Sequence, residues 1–208
     1  MIISHKHKFI FIHTNKTAGT SIEVSLASIC GPDDIIGPVT LENLPSDYKH
    51  PENYNKNKFE DTMSAKDIKD NIPLECWEGY TKFSVVRNPW DRMVSAWFWQ
   101  TRGGGEFVKR NLQTFLSNLV LKPISMSEQL TIDNSVCTNF LIRYENLNED
   151  YKKVCKLLKI NPIELPHAKA GYKSKDVPYW EHYDEHTKNI IEFRFKDDIE
   201  NFEYKFGE

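Results

Sequence analysis

Two short stretches carry residue types that together bind anions. The first, FIHTNKTAGTSIE (11–23), sets Lys16 and Gly19 in a polar turn between an apolar run and the start of a helix. A turn from strand into helix aims successive backbone N–H groups at one point, here those from about Thr17 to Ser21. The helix dipole adds positive potential there, and Lys16 adds a full charge. Gly19 lets the backbone come close to a ligand. Lys16 precedes Gly19, so the Gly-Lys-Ser/Thr order of the common phosphate loop is missing. The second stretch, KFSVVRNPWDRMVSAW (82–97), ends an apolar run at Arg87 and places Ser95 two turns into the next helix. Arg87 can fork onto a phosphate bidentately, and a hydroxyl on the adjacent helix can reach the same group. The competing role for either arginine of RNPWDR is a structural ion pair with Asp91 or another acid. Lys16 at one strand end and Arg87 with Ser95 at another suit two separated anionic groups on one ligand. Where a nucleotide triphosphatase ends a strand in an acidic residue for Mg²⁺, this strand ends in arginine, and no metal-binding carboxylate is expected.

Both stretches need a sheet to hold them. FIFIH (9–13) is a short continuous apolar run, as expected of a strand buried on both faces. Thr20 or Ser21 is the expected cap of a helix running to about Ile29. Residues 31–62, rich in Pro, Asn, Asp and Lys, read as an irregular excursion over the sheet's edge, serving as a substrate wall or lid. SAKDIKDNI (64–72) reads as a short helix capped by Ser64, and KFSVVRNP (82–89) as a second buried strand. Pro89 opens the helix WDRMVSAWFWQ (90–100), which GGG (103–105) breaks. FVKRNLQTFLSNL (107–119) is a further amphipathic helix, NFLIRYENL (139–147) a third strand and DYKKVCKLLKI (150–160) a helix. A basic loop, HAKAGYKSKD (167–176), precedes the closing helix DEHTKNIIEFRF (184–195). Strands alternating with helices predict a three-layer α/β/α, P-loop-like domain over 1–208 with a central, mostly parallel sheet. Its ligand site then lies at the carboxyl ends of the strands.

The chain has 208 residues, 39% hydrophobic and 27% charged, with a net charge of −3. That balance gives no general reason to expect nucleic-acid or membrane binding, so an anion site must be a local cluster of cations. The four cysteines, Cys30, Cys76, Cys137 and Cys155, form no CxxC pair, which fits free thiols in a reducing compartment. No long apolar run or signal peptide is present, and a soluble cytoplasmic protein is expected.

HTNKTAGTSIE resembles the 5′-phosphosulfate-binding loop of the sulfotransferases that use 3′-phosphoadenosine 5′-phosphosulfate (PAPS). FSVVRNPWDRMVSAW resembles their 3′-phosphate-binding segment, an arginine ending a strand with a serine eight residues on. The likeness is to the carbohydrate branch of the family, Golgi-type and bacterial, and continues weakly through FLIRYENLNEDYKKVCKLL and the C-terminal segment. It implies that Lys16, Thr17, Gly19, Thr20 and Ser21 hold the phosphosulfate, with Ala18 contributing backbone only, and that Arg87 and Ser95 bind the 3′ phosphate. Lys169, Tyr172, Lys173 and Ser174 resemble the late segment that folds over the cofactor. Asn15 stands where relatives usually carry proline. The implied reaction passes a sulfuryl group to a hydroxyl or amine of a carbohydrate or small metabolite, releasing adenosine 3′,5′-bisphosphate (PAP). Lys16 steadies charge on the leaving oxygen, and no metal is needed.

The acceptor also needs a base. The histidine that related carbohydrate enzymes often carry some twenty residues before the arginine strand is absent from KFEDTMSAKDIK, leaving Glu60 and Asp61 as candidates and His50 as a more distant one. Acidic residues there also serve as helix N-terminal stabilisers. His13, beside the loop, reads as a structural group. Trp90, Trp97 and Trp99 offer stacking faces for adenine or a sugar, with core packing expected for at least two. The rival functions are a P-loop kinase or NTPase and a non-catalytic nucleotide-binding module that has lost the base.

Overall fold

The computed structural model describes residues 1–38, 59, 60, 62–101, 112–117, 124–166 and 177–208. Its strands are β1 (Ile2–Ser4), β2 (Phe9–Ile12), β3 (Ile35–Ile36), β4 (Thr81–Val86), β5 (Thr131–Ile132), β6 (Ser135–Val136) and β7 (Phe140–Arg143). Five of them form one sheet in the order β3-β1-β2-β4-β7. β2 pairs in parallel with β4, Phe9 opposite Thr81, and β4 in parallel with β7, Phe83 opposite Phe140. β1 is antiparallel to both β2 and β3, so β1 alone runs against the other four.

Strand alternation divides the core. From β2, Phe9 and Phe11 face one side with Ile22 and Leu26 of α1 (Gly19–Ala27). Tyr151 and Val154 of the C-terminal half join that side. Ile10 and Ile12 face the other side with Ala65 and Ile68 of α2 (Ala65–Asp70) and Trp77 of α3 (Leu74–Gly79). A third cluster joins Trp90 and Met93 of α4 (Pro89–Thr101) to Phe115 of α5 (Leu112–Ser117). The remaining helices are α6 (Met126–Leu130), α7 (Leu147–Leu157), α8 (Glu185–Arg194) and α9 (Lys196–Phe202). α1 and α7 thus cover one face of the sheet, and α2, α3, α6 and α9 the other. This is the three-layer α/β arrangement the alternation predicts.

Several elements depart from the sequence reading. β1 and β3 form a flank that the polar turn between Ser4 and Phe9 conceals. The span 31–62, expected to be irregular, contributes β3 at 35–36, while 39–58 lie outside the described residues. β5 and β6 form a hairpin through Asp133 and Asn134, both left-handed with φ of 51° and 59°, a conformation these two side chains tolerate. α1 begins at Gly19 with Ala18 as its cap residue, so neither Thr20 nor Ser21 is the cap. Ser64 does cap α2, in a reciprocal box with Asp67. All four cysteines are free, and among the described residues no helix is long and apolar enough to cross a membrane.

The helices behind the sheet are locked together by Asp198 on α9. Its carboxylate accepts from Ser125 Oγ at 2.5 Å and from the N–H groups of Met126 and Ser127 at 3.1 and 2.7 Å, at the start of α6. It also meets Arg92 of α4 at 3.3 Å, and both side chains are fully buried. Removing one partner of such a pair strands the other charge. Asp198→Ala is therefore expected to lower stability by about 3–5 kcal/mol in urea denaturation. The double variant Asp198→Ala/Arg92→Met should lose less than the two single losses added together.

Candidate functional site

β2 ends at Ile12, and the chain turns through residues 13–18 into α1. Two non-glycine residues of this turn are left-handed, Lys16 at φ 65° and Ala18 at φ 69°. Alternating hand of this kind brings successive N–H groups to one side. The carbonyls are committed to the protein's own donors. Thr14 O accepts from Thr17 Oγ1 at 2.8 Å, Asn15 O from Arg92 Nε at 2.9 Å and Lys16 O from Arg87 Nη1 at 2.9 Å. Ala18 O accepts from the N–H groups of Ser21 and Ile22. No side chain caps α1, and the N–H groups of Gly19 and Thr20 make no hydrogen bond of normal geometry to another described residue. The loop so built keeps its acceptors inside and leaves donors at the helix start, which is the charge pattern an anion needs.

The individual loop residues divide between two roles. Thr17 is buried, and its hydroxyl is spent on Thr14, whose own hydroxyl donates to the Val85 carbonyl of β4. Thr17 therefore offers a ligand only its main chain. The hydroxyls of Thr20 and Ser21 engage no described residue. Gly19 has a second reason for being glycine besides close approach of a ligand. A Cβ there would stand 2.2 Å from the His13 ring. His13 is held in turn by Glu23, Nδ1 to carboxylate at 3.0 Å, and Glu23 also meets the Met1 amino group. His13, read from the sequence as a structural group, thus sits between Glu23 and the start of α1.

Arg87 ends β4 beside this loop. Both Nε and Nη2 lie 2.7 Å from Asp91 Oδ2, Nη1 reaches Lys16 O, and the guanidinium stacks 3.8 Å over the Tyr144 ring just past β7. The structural ion pair is therefore present, and three of the five guanidinium N–H groups are committed. Two remain for a ligand. Ser95 lies half-buried on α4 one turn beyond Asp91, and its hydroxyl engages no described residue. Asn88 opens α4 by accepting from the N–H groups of Trp90 and Asp91.

Of the tryptophans, Trp90 is buried in the third cluster and Trp97 packs against it with Phe98 and His182, the expected core roles. Trp99 instead meets the loop, with Lys16 Nζ 4.3 Å from its ring centroid. Glu60 is exposed, and its neighbour Thr62 is tied to the end of β2. Gln129 Nε2 donates to the carbonyls of Thr62 at 3.2 Å and His13 at 3.5 Å. Asp61, His50, Lys169, Tyr172, Lys173 and Ser174 lie outside the described residues.

Sequence reasoning allowed Arg92 an ion pair with an acid, which Asp198 supplies, but did not single out Tyr144, Gln129 or the contact of Trp99 with Lys16. The four-residue steps 87–91–95–99 were a legible sign that Asp91 and Trp99 share a helix face with Ser95. Nothing in the sequence places Gln129 or Tyr144.

Residues 1–205 match the model of the sulfotransferase family. The chain belongs to this family. An uncharacterized protein of Archaeoglobus fulgidus is similar, 29% identical over 105 residues, which is 50% of this chain and 87% of that protein. No solved structure matches. Family membership supports a sulfotransferase function, and the β2–α1 loop and the β4–α4 junction both lie at the carboxyl ends of parallel strands, where open α/β sheets bind ligands.

The His13–Gly19 contact gives a direct test of how tightly this sulfotransferase loop is built. Gly19→Ala must displace the His13 ring or the start of α1, an overpacking expected to cost about 1–3 kcal/mol in thermal or urea unfolding. The control Ala18→Gly, at a left-handed position without such a neighbour, should be neutral or slightly stabilising in the same assay.

Proposed function

We propose that the chain is a cytoplasmic, single-domain sulfotransferase that moves a sulfuryl group from PAPS to a hydroxyl or amine of a carbohydrate or small metabolite. The observation that carries this reading is the loop whose carbonyls are held by Arg87, Arg92 and Thr17 while its helix-start donors stay available. The donor set fits a molecule with anions at both ends. The N–H groups from Thr17 to Ser21 with the hydroxyls of Thr20 and Ser21 suit the phosphosulfate. The two uncommitted N–H groups of Arg87 with the Ser95 hydroxyl suit the 3′ phosphate.

When bound, PAPS supplies the activated sulfuryl group. The chain's own part is positioning and charge stabilisation. Lys16 places a cation where negative charge collects on the leaving oxygen, and the loop amides share that load. Glu60 or Asp61 takes the proton of the acceptor, on a segment that Gln129 ties to the end of β2 through Thr62. The resemblance of the late basic loop to the family's cofactor segment adds Lys173 and Ser174 to the proposed donor ligands.

Two measurements test this. Calorimetry should find tight binding of PAP without added metal and weak binding of ATP with Mg²⁺. Tighter binding of MgATP would sink the reading in favour of a kinase or NTPase. In turnover with PAPS, Lys16→Ala should lower kcat by about 10²–10³-fold while leaving the acceptor KM within a few-fold. Cofactor binding that is indifferent to Lys16→Ala, with no transfer to any acceptor, would point to a non-catalytic binding module.

A further inference from the structure

Helix α4 presents Asp91, Ser95 and Trp99 at four-residue steps, one stripe along its length. Each end of the stripe holds a cation that comes from a different strand end. Asp91 takes the Arg87 guanidinium at 2.7 Å, and Trp99 lies under the Lys16 ammonium at 4.3 Å. Ser95 lies between them along the helix. Eight helical residues rise about 12 Å, so a single rigid element sets how far apart the two cations stand.

We propose that Trp99 is a positioning residue for Lys16. The inference rests on the sulfuryl-transfer reading, in which Lys16 meets the leaving oxygen. A lysine side chain has a flexible four-carbon stem and loses much rotamer freedom when its ammonium is confined to one place. The indole face attracts the ammonium through its ring quadrupole, and more strongly where water is partly excluded, as it is at these two half-buried residues. Lys16 has a left-handed backbone, and Trp99 receives the end of its side chain. Trp97, two residues earlier, packs with Phe98 at 4.7 Å between ring centroids and with His182, so the two tryptophans are not interchangeable. With Asp91 fixing Arg87 in the same way, α4 works as a spacer that matches the cations to two anions on one ligand.

The test uses the full chain with ¹³C-labelled lysine. In the wild type the Lys16 ε-methylene protons should be shifted upfield by the indole ring current. In Trp99→Leu they should return to the free-lysine position, and in Trp99→Phe they should keep part of the shift. With PAPS and an accepted substrate, Trp99→Leu should lower kcat about five- to thirtyfold with donor KM changed by about twofold or less, and Trp99→Phe should recover most of the rate. In a Lys16→Ala background, Trp99→Leu should add nothing further. A Lys16 resonance unmoved by Trp99→Leu, or an equal kcat loss in the Lys16→Ala background, overturns the inference. If the wild type fails to bind PAP, the donor reading falls on its own, and the Lys16 resonance still decides whether Trp99 holds the ammonium.

Discussion

Arg92 is fully buried, and a buried charge persists only where its hydrogen bonds and a counter-charge surround it. Burial lowers its pKa to about 10, against the pull of Asp198, so the guanidinium stays charged at neutral pH. Its three nitrogens go to three different parts of the chain: Nε to Asn15 O in the loop, Nη1 to Asp198 on α9 and Nη2 to Ile124 O ahead of α6. The loop's shape follows from that arrangement. With Asn15 O drawn inward by Arg92 and Lys16 O by Arg87, the intervening peptides are turned, and the left-handed residues Lys16 and Ala18 accommodate the turning. The helices behind the sheet and the loop in front of it therefore share one fixed point.

That fixed point also explains why the motif RNPWDR carries two arginines. Arg87 works at the surface of the site, with donors remaining after Asp91 and Lys16 O are served. Arg92, five residues on, points into the interior and serves the loop from behind. Pairing each with a carboxylate, Asp91 and Asp198, keeps two like charges tolerable in close quarters. The Asp198 carboxylate does more than neutralise, since it caps α6 with the same oxygens.

Much of this was legible in the sequence, and what was not has physical reasons. The strand at 9–12 stands out because burial on both faces forces a continuous apolar run, and those at 81–86 and 140–143 because each carries a short apolar run that leads into an arginine. Ser64 is legible as a cap because its partner Asp67 is three residues away. Short-range signals of this kind survive in one dimension. The small elements β1, β3, α3 and α6 carry too few residues for a period to register, and their stability comes from what they pack against. In the site, Lys16, Gly19 and Arg87 were recognisable from type and position. The hold of Arg87 on Lys16 O, the hold of Arg92 on Asn15 and the tie of Gln129 to Thr62 depend on contacts between distant segments, which no local spacing encodes. The turn at Ala18 was missed for a different reason: alanine gives no hint of a left-handed conformation, which here is imposed from outside.

The parallel register of β2 against β4 has a consequence for how the protein comes into being. The loop and the arginine that shapes it lie 71 positions apart, Lys16 to Arg87, and the β2–β4 pairing brings them together. Closing so long a stretch is entropically unfavourable until the strands zip, so the pairing is a slow, non-local event. During synthesis β2, its loop and α1 emerge well before β4 exists to receive them. Until then the Thr14 hydroxyl lacks the Val85 carbonyl, the inward-turned carbonyls lack their arginines, and the peptides of the loop are free to adopt ordinary right-handed conformations. The folded shape of this loop is thus a late product of folding, appearing with the sheet rather than with the motif that marks it.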